Sequence, residues 1–481
     1  MSETVPAKAT PGAREHIERV RDFYEHNTQR AGLFGRTYRR QLAHYYRHII
    51  PAEASALEIG CGRGGLLELL PNRDICGVDI APSRVEEARK RLPHGEFHVM
   101  AGEELKLGRK FDYIILSDTV NEAGDVQAVL EAALTAARED TRLVLNFYNT
   151  LWKPMLSLGT ALGLRVHHPQ QSWLSGADIA NLLHLSGWEL VRREGRILCP
   201  APIPFIAKLA NRLSPLLPWA GLTVFEVARP ARQDPSRRPG PSVSVIVPAR
   251  NEAGNIADAV ARTPLMGEWT ELIFVEGGSS DDTWERIQAV AGTVSPKGVR
   301  IVPALRQKGR GKGDAVREGF AAAKGDIVMI LDADLTVPPE ELAKFHEALA
   351  TGRGEFVNGV RLVYPMEDKA MRFLNMCANK FFGIAFTWLL SQHVKDTLCG
   401  TKVLYRRDYE KIAANRAYFG DFDPFGDFDL LFGAARLNMK IVDLPIRYKN
   451  RCYGTTNISR FRHGLILFRM MLHAAMKLKF I

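Results

Sequence analysis

The sequence predicts an α/β protein built as two domains. Apolar runs that read as buried strands alternate with helical patterns on both sides of residues 229–242. One such run ends in a glycine-rich turn and another in two carboxylates. Residues 229–242, RPARQDPSRRPGPS, break the alternation with Pro, Arg and almost nothing apolar, the composition of an exposed linker. A chain of 481 residues exceeds one ordinary domain. The expected boundaries are 1–228, a linker over 229–242, and 243–481, with the first dozen residues disordered.

Composition narrows the class. Apolar residues make up 46%, enough for packed cores. The six cysteines are scattered without a CxxC pair, which argues against a zinc site or disulfide framework and fits a reducing compartment. The first twenty residues hold no apolar h-region, and no apolar run reaches the roughly 18 residues of a spanning helix. The formal net charge is +10, and no acid follows Asp443, whereas Arg447, Lys449, Arg451, Arg460, Arg462, Arg469, Lys477 and Lys479 do. Anionic lipid and phosphorylated substrates suit such a tail. No nucleic-acid-binding module accompanies it.

In the N-terminal half, ALEIGCGRGGLLELL (56–70) reads as a strand, a glycine-rich turn and an apolar helix. Gly60, Gly62 and Gly64 let the backbone approach a ligand closely. The next strand, DICGVDI, ends in Asp79, nineteen residues after Gly60, where a carboxylate can accept from both hydroxyls of a ribose. The GxGxG spacing, Glu58 before it and VDIAPSRVEEAR after it resemble class I S-adenosylmethionine-dependent methyltransferases, a Rossmann-like fold. The resemblance covers roughly 54–148. It implies that Glu58, Gly60, Gly62, Gly64 and Asp79 hold S-adenosylmethionine, with Ser117 at its methyl end. Ala101 stands where many relatives place an Asp against the adenine, and Glu103 is the candidate substitute.

In the C-terminal half, SVSVIVPARNEAGNI, LIFVEGGSSDDTWERI, the basic loop RQKGRGKGD and the strand ending in DAD follow in that order. Together they resemble the GT-A fold of family-two glycosyltransferases, inverting enzymes that use nucleotide sugars, over 243–461. The resemblance implies donor contacts from Pro248, Glu252, Glu276, Lys312 and Asp332. It implies Mg2+ or Mn2+ held by Asp334 directly, with Asp332 reaching the metal or the ribose. Hard carboxylate oxygens suit such a cation, which offsets charge on a departing diphosphate. In FGDFDLL, Asp427 aligns with the general base and Asp429 is the alternative. DLPIRYKNRCYGTTNISRF resembles the acceptor segment of the polyprenyl-phosphate sugar transferases, in which Arg451 would neutralise a phosphate.

The expected protein is thus a bifunctional enzyme taking a nucleotide sugar as donor and a polyprenyl phosphate or glycolipid as acceptor. MRFLNMCANKFF and HGLILFRMMLHAAMKLKFI are the expected contacts with a membrane surface, giving a peripheral protein on its cytoplasmic face. The competing readings are a soluble hydroxyl acceptor, and a non-catalytic methyltransferase-like module.

Overall fold

The computed structural model describes residues 11–27, 32–163, 165, 171–231, 240–363, 373–418, 428–451, 453 and 460–481. They form two compact units, 1–231 with 479–481, and 232–478.

Unit 1 is organised by a seven-stranded sheet. Its strands are β1 (Ala56–Ile59), β2 (Ile75–Asp79), β3 (Glu96–Val99), β4 (Phe111–Ser117), β5 (Ala137–Tyr148), β6 (Trp188–Arg196) and β7 (Thr223–Pro230), in spatial order 3-2-1-4-5-7-6. The first five pair in parallel, whereas β7 runs antiparallel to both β5 and β6. Because helices cover both faces of the parallel part, β1 and β2 are buried along their whole length rather than alternately. One core layer holds Tyr46, Leu66, Val85 and Val144, the other Ile114, Leu130, Leu145 and Trp188. The Trp188 indole donates to the Leu130 carbonyl (2.8 Å), so its one polar atom is satisfied inside the core.

One local expectation fails. The helix anticipated after the glycine turn is only a 3-10 turn, Leu67–Leu69. Gly64 and Gly65 disfavour helix on one side and Pro71 closes the segment on the other, leaving too few residues to nucleate an α-helix.

Unit 2 carries an eight-stranded mixed sheet. Its strands are β8 (Val243–Ala249), β9 (Thr270–Glu276), β10 (Arg300–Ile301), β11 (Leu305–Arg306), β12 (Ile327–Ile330), β13 (Phe356–Val360), β14 (Lys402–Tyr405) and β15 (Ile441–Pro445). They run in order 10-9-8-12-14-13-15, with β11 also on β9. β8, β9 and β12 are parallel neighbours, so their C-terminal ends emerge on one edge. β14 runs antiparallel between β12 and β13. The helix Phe373–Leu390 packs Phe386 against Phe428 and Phe432 of the helix Phe428–Arg436. Among the described residues no helix is long and apolar enough to cross a membrane.

Candidate functional sites

Unit 1 holds a cavity of about 620 Å³ at the C-terminal ends of β1, β2 and β4. Gly60 and Gly62 line it with φ of 78° and 52°, a backbone region that glycine enters without strain. A Cβ on Gly60 would lie 2.6 Å from Thr119 Oγ1. Asp79 anchors the turn: its carboxylate accepts from the Gly62 N–H (2.7 Å) and the Ala81 N–H (3.0 Å). Gly64 is not part of the wall. Its own positive φ lets the turn pack against Ala88 and Leu92, beside and within the helix Pro82–Arg91, so its role is in packing.

The carboxylates around this cavity are buried with little cationic company. Burial pushes Glu58 up to about 8; Arg39 opposes this and Asp79 and Asp118 reinforce it. Its Oε2 is a buried oxygen without a hydrogen-bond partner among the described residues. Burial likewise lifts Asp118 to about 7, against a hydrogen bond from Tyr38 (3.2 Å) and with the charge of Glu122 adding to it. Asp118 sits at φ 58°, strained for a residue with a Cβ, and also accepts from the Asn146 amide (2.6 Å). Ser117 ends β4 on the cavity wall.

Several wall residues come from outside the expected motif. The helix Pro11–His26 lays Tyr24 over the site, where its hydroxyl donates to Glu122 and its ring lies 3.8 Å from the Arg84 guanidinium. Tyr38 stacks on Tyr148, and the Arg165 guanidinium lies over Tyr148 (5.1 Å). Glu103 points its Oε1 at the backbone N–H groups of Gly124 and Asp125, so this oxygen caps a turn.

In unit 2 the sites gather where β8, β9 and β12 end. Lys312, first residue of the helix Lys312–Ala322, places its ammonium 2.6 Å from Asp332 Oδ1. Burial opposes ionisation of Asp332, yet this ammonium holds the carboxyl below the usual range. Gly400 lies against the pair; a Cβ there would overlap both Asp332 Oδ2 and Lys312 Nζ. The Arg451 guanidinium bridges Asp334 Oδ2 (2.6 Å) and Glu252 Oε1 (3.1 Å). The other oxygen of Asp334 accepts from the N–H (3.1 Å) and hydroxyl (2.8 Å) of Thr336. The other oxygen of Glu252 accepts from the Asn255 amide (2.7 Å). Asn251 and Leu335, next to these two acids, hold φ of 57° and 51°, so both loops are locally strained.

Glu276, at the tip of β9, accepts from the Ser279 N–H, and Pro248 pairs with Val275 between β8 and β9. Tyr453 lies against Gly254, and its hydroxyl donates to Asp281 (3.3 Å). Thus Glu252, Lys312, Asp332, Asp334 and Arg451 come together, with Glu276 and Pro248 on the adjoining strands. Asp429 stands apart, facing Arg416 at 3.3 Å beside the helix Arg406–Ala414. Asp427, Gly454, Thr456 and Asn457 lie outside the described residues. Asp396 is fully buried and paired bidentately with Arg361 (2.8 and 2.9 Å). That pair had no sequence signal, because its members are thirty-five residues apart and on different elements.

Comparison with known proteins finds a match for each half. Residues 24–193 match the family model described as a methyltransferase domain, and 244–412 match glycosyl transferase family 2. Among curated proteins, a dolichol-phosphate mannosyltransferase of Pyrococcus furiosus is 38% identical over 112 residues, 23% of this chain and 30% of that protein. The Saccharomyces cerevisiae protein of the same name is 41% identical over 111 residues, 22% of this chain and 40% of that one. An undecaprenyl-phosphate 4-deoxy-4-formamido-L-arabinose transferase of Edwardsiella ictaluri is 37% identical over 114 residues, 23% of this chain and 34% of that protein. The matched stretches span less than half of each relative's own length. Among solved structures, a methyltransferase from Thermotoga maritima aligns over 45% of this chain and 99% of its own (TM-score 0.34, 18% identity). Glucosyl-3-phosphoglycerate synthase from Mycobacterium tuberculosis aligns over 50% and 80% (TM-score 0.35, 22% identity).

Proposed function

We propose that this chain, which matches a methyltransferase domain over 24–193 and glycosyl transferase family 2 over 244–412, is a bifunctional transferase. In this reading the second domain moves a sugar, with inversion, from a nucleotide sugar to a polyprenyl phosphate. The first moves a methyl group from S-adenosylmethionine to an unidentified acceptor. The boundaries proposed are 1–228, 229–242 and 243–481.

The observation that carries the glycosyl-transfer reading is the set of carboxylates at the ends of β8 and β12, each held against a cation. Asp334 and Glu252 share one guanidinium, and Asp332 holds an ammonium. Hard carboxylate oxygens that already hold positive charge suit a divalent cation, and Asp334 with Asp332 would hold it. Such a cation offsets charge on the departing nucleoside diphosphate. Lys312 and Arg451 would turn from their carboxylates to the phosphate oxygens, exchanging internal ion pairs for ligand ones. Pro248, Glu252 and Glu276 would border the nucleoside. An acceptor phosphate is already ionised, so Asp427 would orient it rather than deprotonate it. The names of the similar curated proteins support a lipid phosphate acceptor.

The cavity of unit 1 suits a cationic cofactor. Glu58 has an unmatched buried oxygen, and a positive charge brought near it favours its ionised form. S-adenosylmethionine, when bound, supplies an electrophilic methyl group. Gly60 and Gly62 allow close approach, Asp79 would take the ribose, and Ser117 would border the methyl end. Alignment of the acceptor then does most of the catalytic work. Cationic, partly apolar helices in unit 2 support a peripheral place on the cytoplasmic face of a membrane.

The test is a donor screen. Protein, Mn2+ or Mg2+, a panel of UDP-, GDP- and dTDP-sugars and a short polyprenyl phosphate are combined, with Asp334→Ala beside the wild type. Metal-dependent sugar–lipid formation, lost in the variant, is expected. Sugar transfer that ignores the lipid would point to a hydroxyl acceptor instead.

A further inference from the structure

Unit 1 carries an inverted helix. In Pro204–Arg212 and the turn that follows it, the inward positions are small or polar: Ala207, Asn211 and Ser214. The large apolar residues point outward. Phe205 is 89% exposed, Ile206 and Leu209 62% each, and Trp219 68%. A helix packed for the core would show the opposite pattern. Asn211 locks this orientation, exchanging hydrogen bonds with the Cys199 backbone in both directions (2.8 and 3.0 Å). The arrangement is therefore built in rather than a frayed segment.

A second exposed apolar element adjoins it. The helix Lys153–Ala161 has no buried residue, and Met155 is 64% exposed. The two are tied together where the Trp152 indole donates to Ala220 (2.9 Å) and the Asn149 amide donates to Trp219 (2.8 Å). Met155 also lines the cofactor cavity, so the apolar surface runs up to its wall. Charge identifies the occupant. Residues 141–177 and 195–225 contain no Asp or Glu, and Lys153, Lys208 and Arg212 are exposed among the apolar side chains. Apolar side chains interleaved with cations and no acid complement a surface with an apolar interior and anionic headgroups.

We propose that unit 1 docks on an anionic lipid bilayer through Phe205, Ile206, Leu209 and Trp219, with the cofactor cavity opening at the lipid surface. This surface is formed by unit 1 residues alone and does not depend on the identity of the sugar acceptor.

The test uses the full chain and vesicles of three parts phosphatidylcholine to one part phosphatidylglycerol, with and without brominated acyl chains. Brominated lipid is expected to quench a tryptophan component that disappears in Trp219→Phe. Phe205→Glu with Leu209→Glu is expected to lower the vesicle partition coefficient on the order of tenfold or more, since two apolar side chains lose their burial. Lys208→Glu with Arg212→Glu is expected to weaken binding to the anionic vesicles but not to phosphatidylcholine alone. S-adenosylmethionine binding and sugar transfer to a water-soluble short-chain acceptor, measured on the same variants, report folding and the function proposed above independently. Vesicle binding without Trp219 quenching would overturn the proposal and place the contact elsewhere. Self-association abolished by Phe205→Glu with Leu209→Glu, without vesicle binding, would overturn it in favour of a second copy of the chain.

Discussion

The two sites handle buried carboxylates in opposite ways. In unit 1, no cation among the described residues hydrogen-bonds to buried Glu58 or half-buried Asp118, and desolvation lifts both toward neutrality. In unit 2, Asp332 and Asp334 are each in contact with a cation, and Asp332 stays ionised despite its burial. The first arrangement leaves a charge deficit that a cationic ligand can fill. The second is largely ion-paired at rest, three carboxylates against two cations, and in the proposed reading binds an anion and a metal together by exchanging partners. Under the proposed function, the same side-chain chemistry would suit one cavity to a sulfonium and the other site to a metal–diphosphate.

That contrast is breakable by experiment. The largest effect expected is from Asp334→Ala, with sugar transfer falling on the order of a thousandfold as several kcal/mol of charge stabilisation is lost. Methyl transfer should be unchanged, and a fall in both activities would show that the two sites are not independent. Next comes Asp396→Asn, which leaves the buried Arg361 without its ionic partner. Unit 2 should lose about 3–5 kcal/mol, seen in calorimetry as a lowered transition while that of unit 1 stays put.

Gly400→Ala sharpens the comparison at one atom. The added methyl group must push Asp332 and Lys312 apart, so sugar transfer should fall roughly a hundredfold with little change in melting. In unit 1, Glu58→Gln should weaken S-adenosylmethionine binding about tenfold by calorimetric titration, the size of one charge-assisted interaction.

The same carboxylate predicts a pH dependence of opposite sign for stability and binding. Glu58 is lifted from 4.5 to about 8, so folded unit 1 holds a proton that the unfolded chain releases. This contribution is fully present below pH 4.5 and is lost as pH rises through about 8. Cofactor affinity should rise over the upper part of that window, as the carboxylate becomes ionised. Melting curves and binding titrations from pH 5 to 9 should show both trends flattened in Glu58→Gln.

Much of this was legible beforehand because it is local. A strand, a positive-φ turn and an acid at the next strand tip are set by residues within some twenty positions. So are the carboxylates that follow β12, whose all-apolar run has no alternative but burial. The expected helix after Gly64 failed for an equally local reason, with two glycines and a proline bounding it. By contrast, Tyr24 and Glu122 meet across ninety-eight residues, and nothing in the amphipathic helix around Tyr24 says which cavity it will cover. Asp396 and Asp429 likewise each pair with an arginine that the sequence pattern does not link to it.

The amino-acid sequence by itself determined that there are two α/β halves and which acids and glycines stand at the strand ends. Periodicity, glycine backbone freedom and the cost of burying charge act over short stretches and leave few choices. Only the tertiary structure decided which cation pairs with which carboxylate, and which glycines line the cavity rather than pack on a neighbouring helix. It also decided that Phe205, Ile206 and Leu209 point away from the core. Those outcomes depend on how distant elements pack, and a side chain learns its partner only when the chain has closed around it.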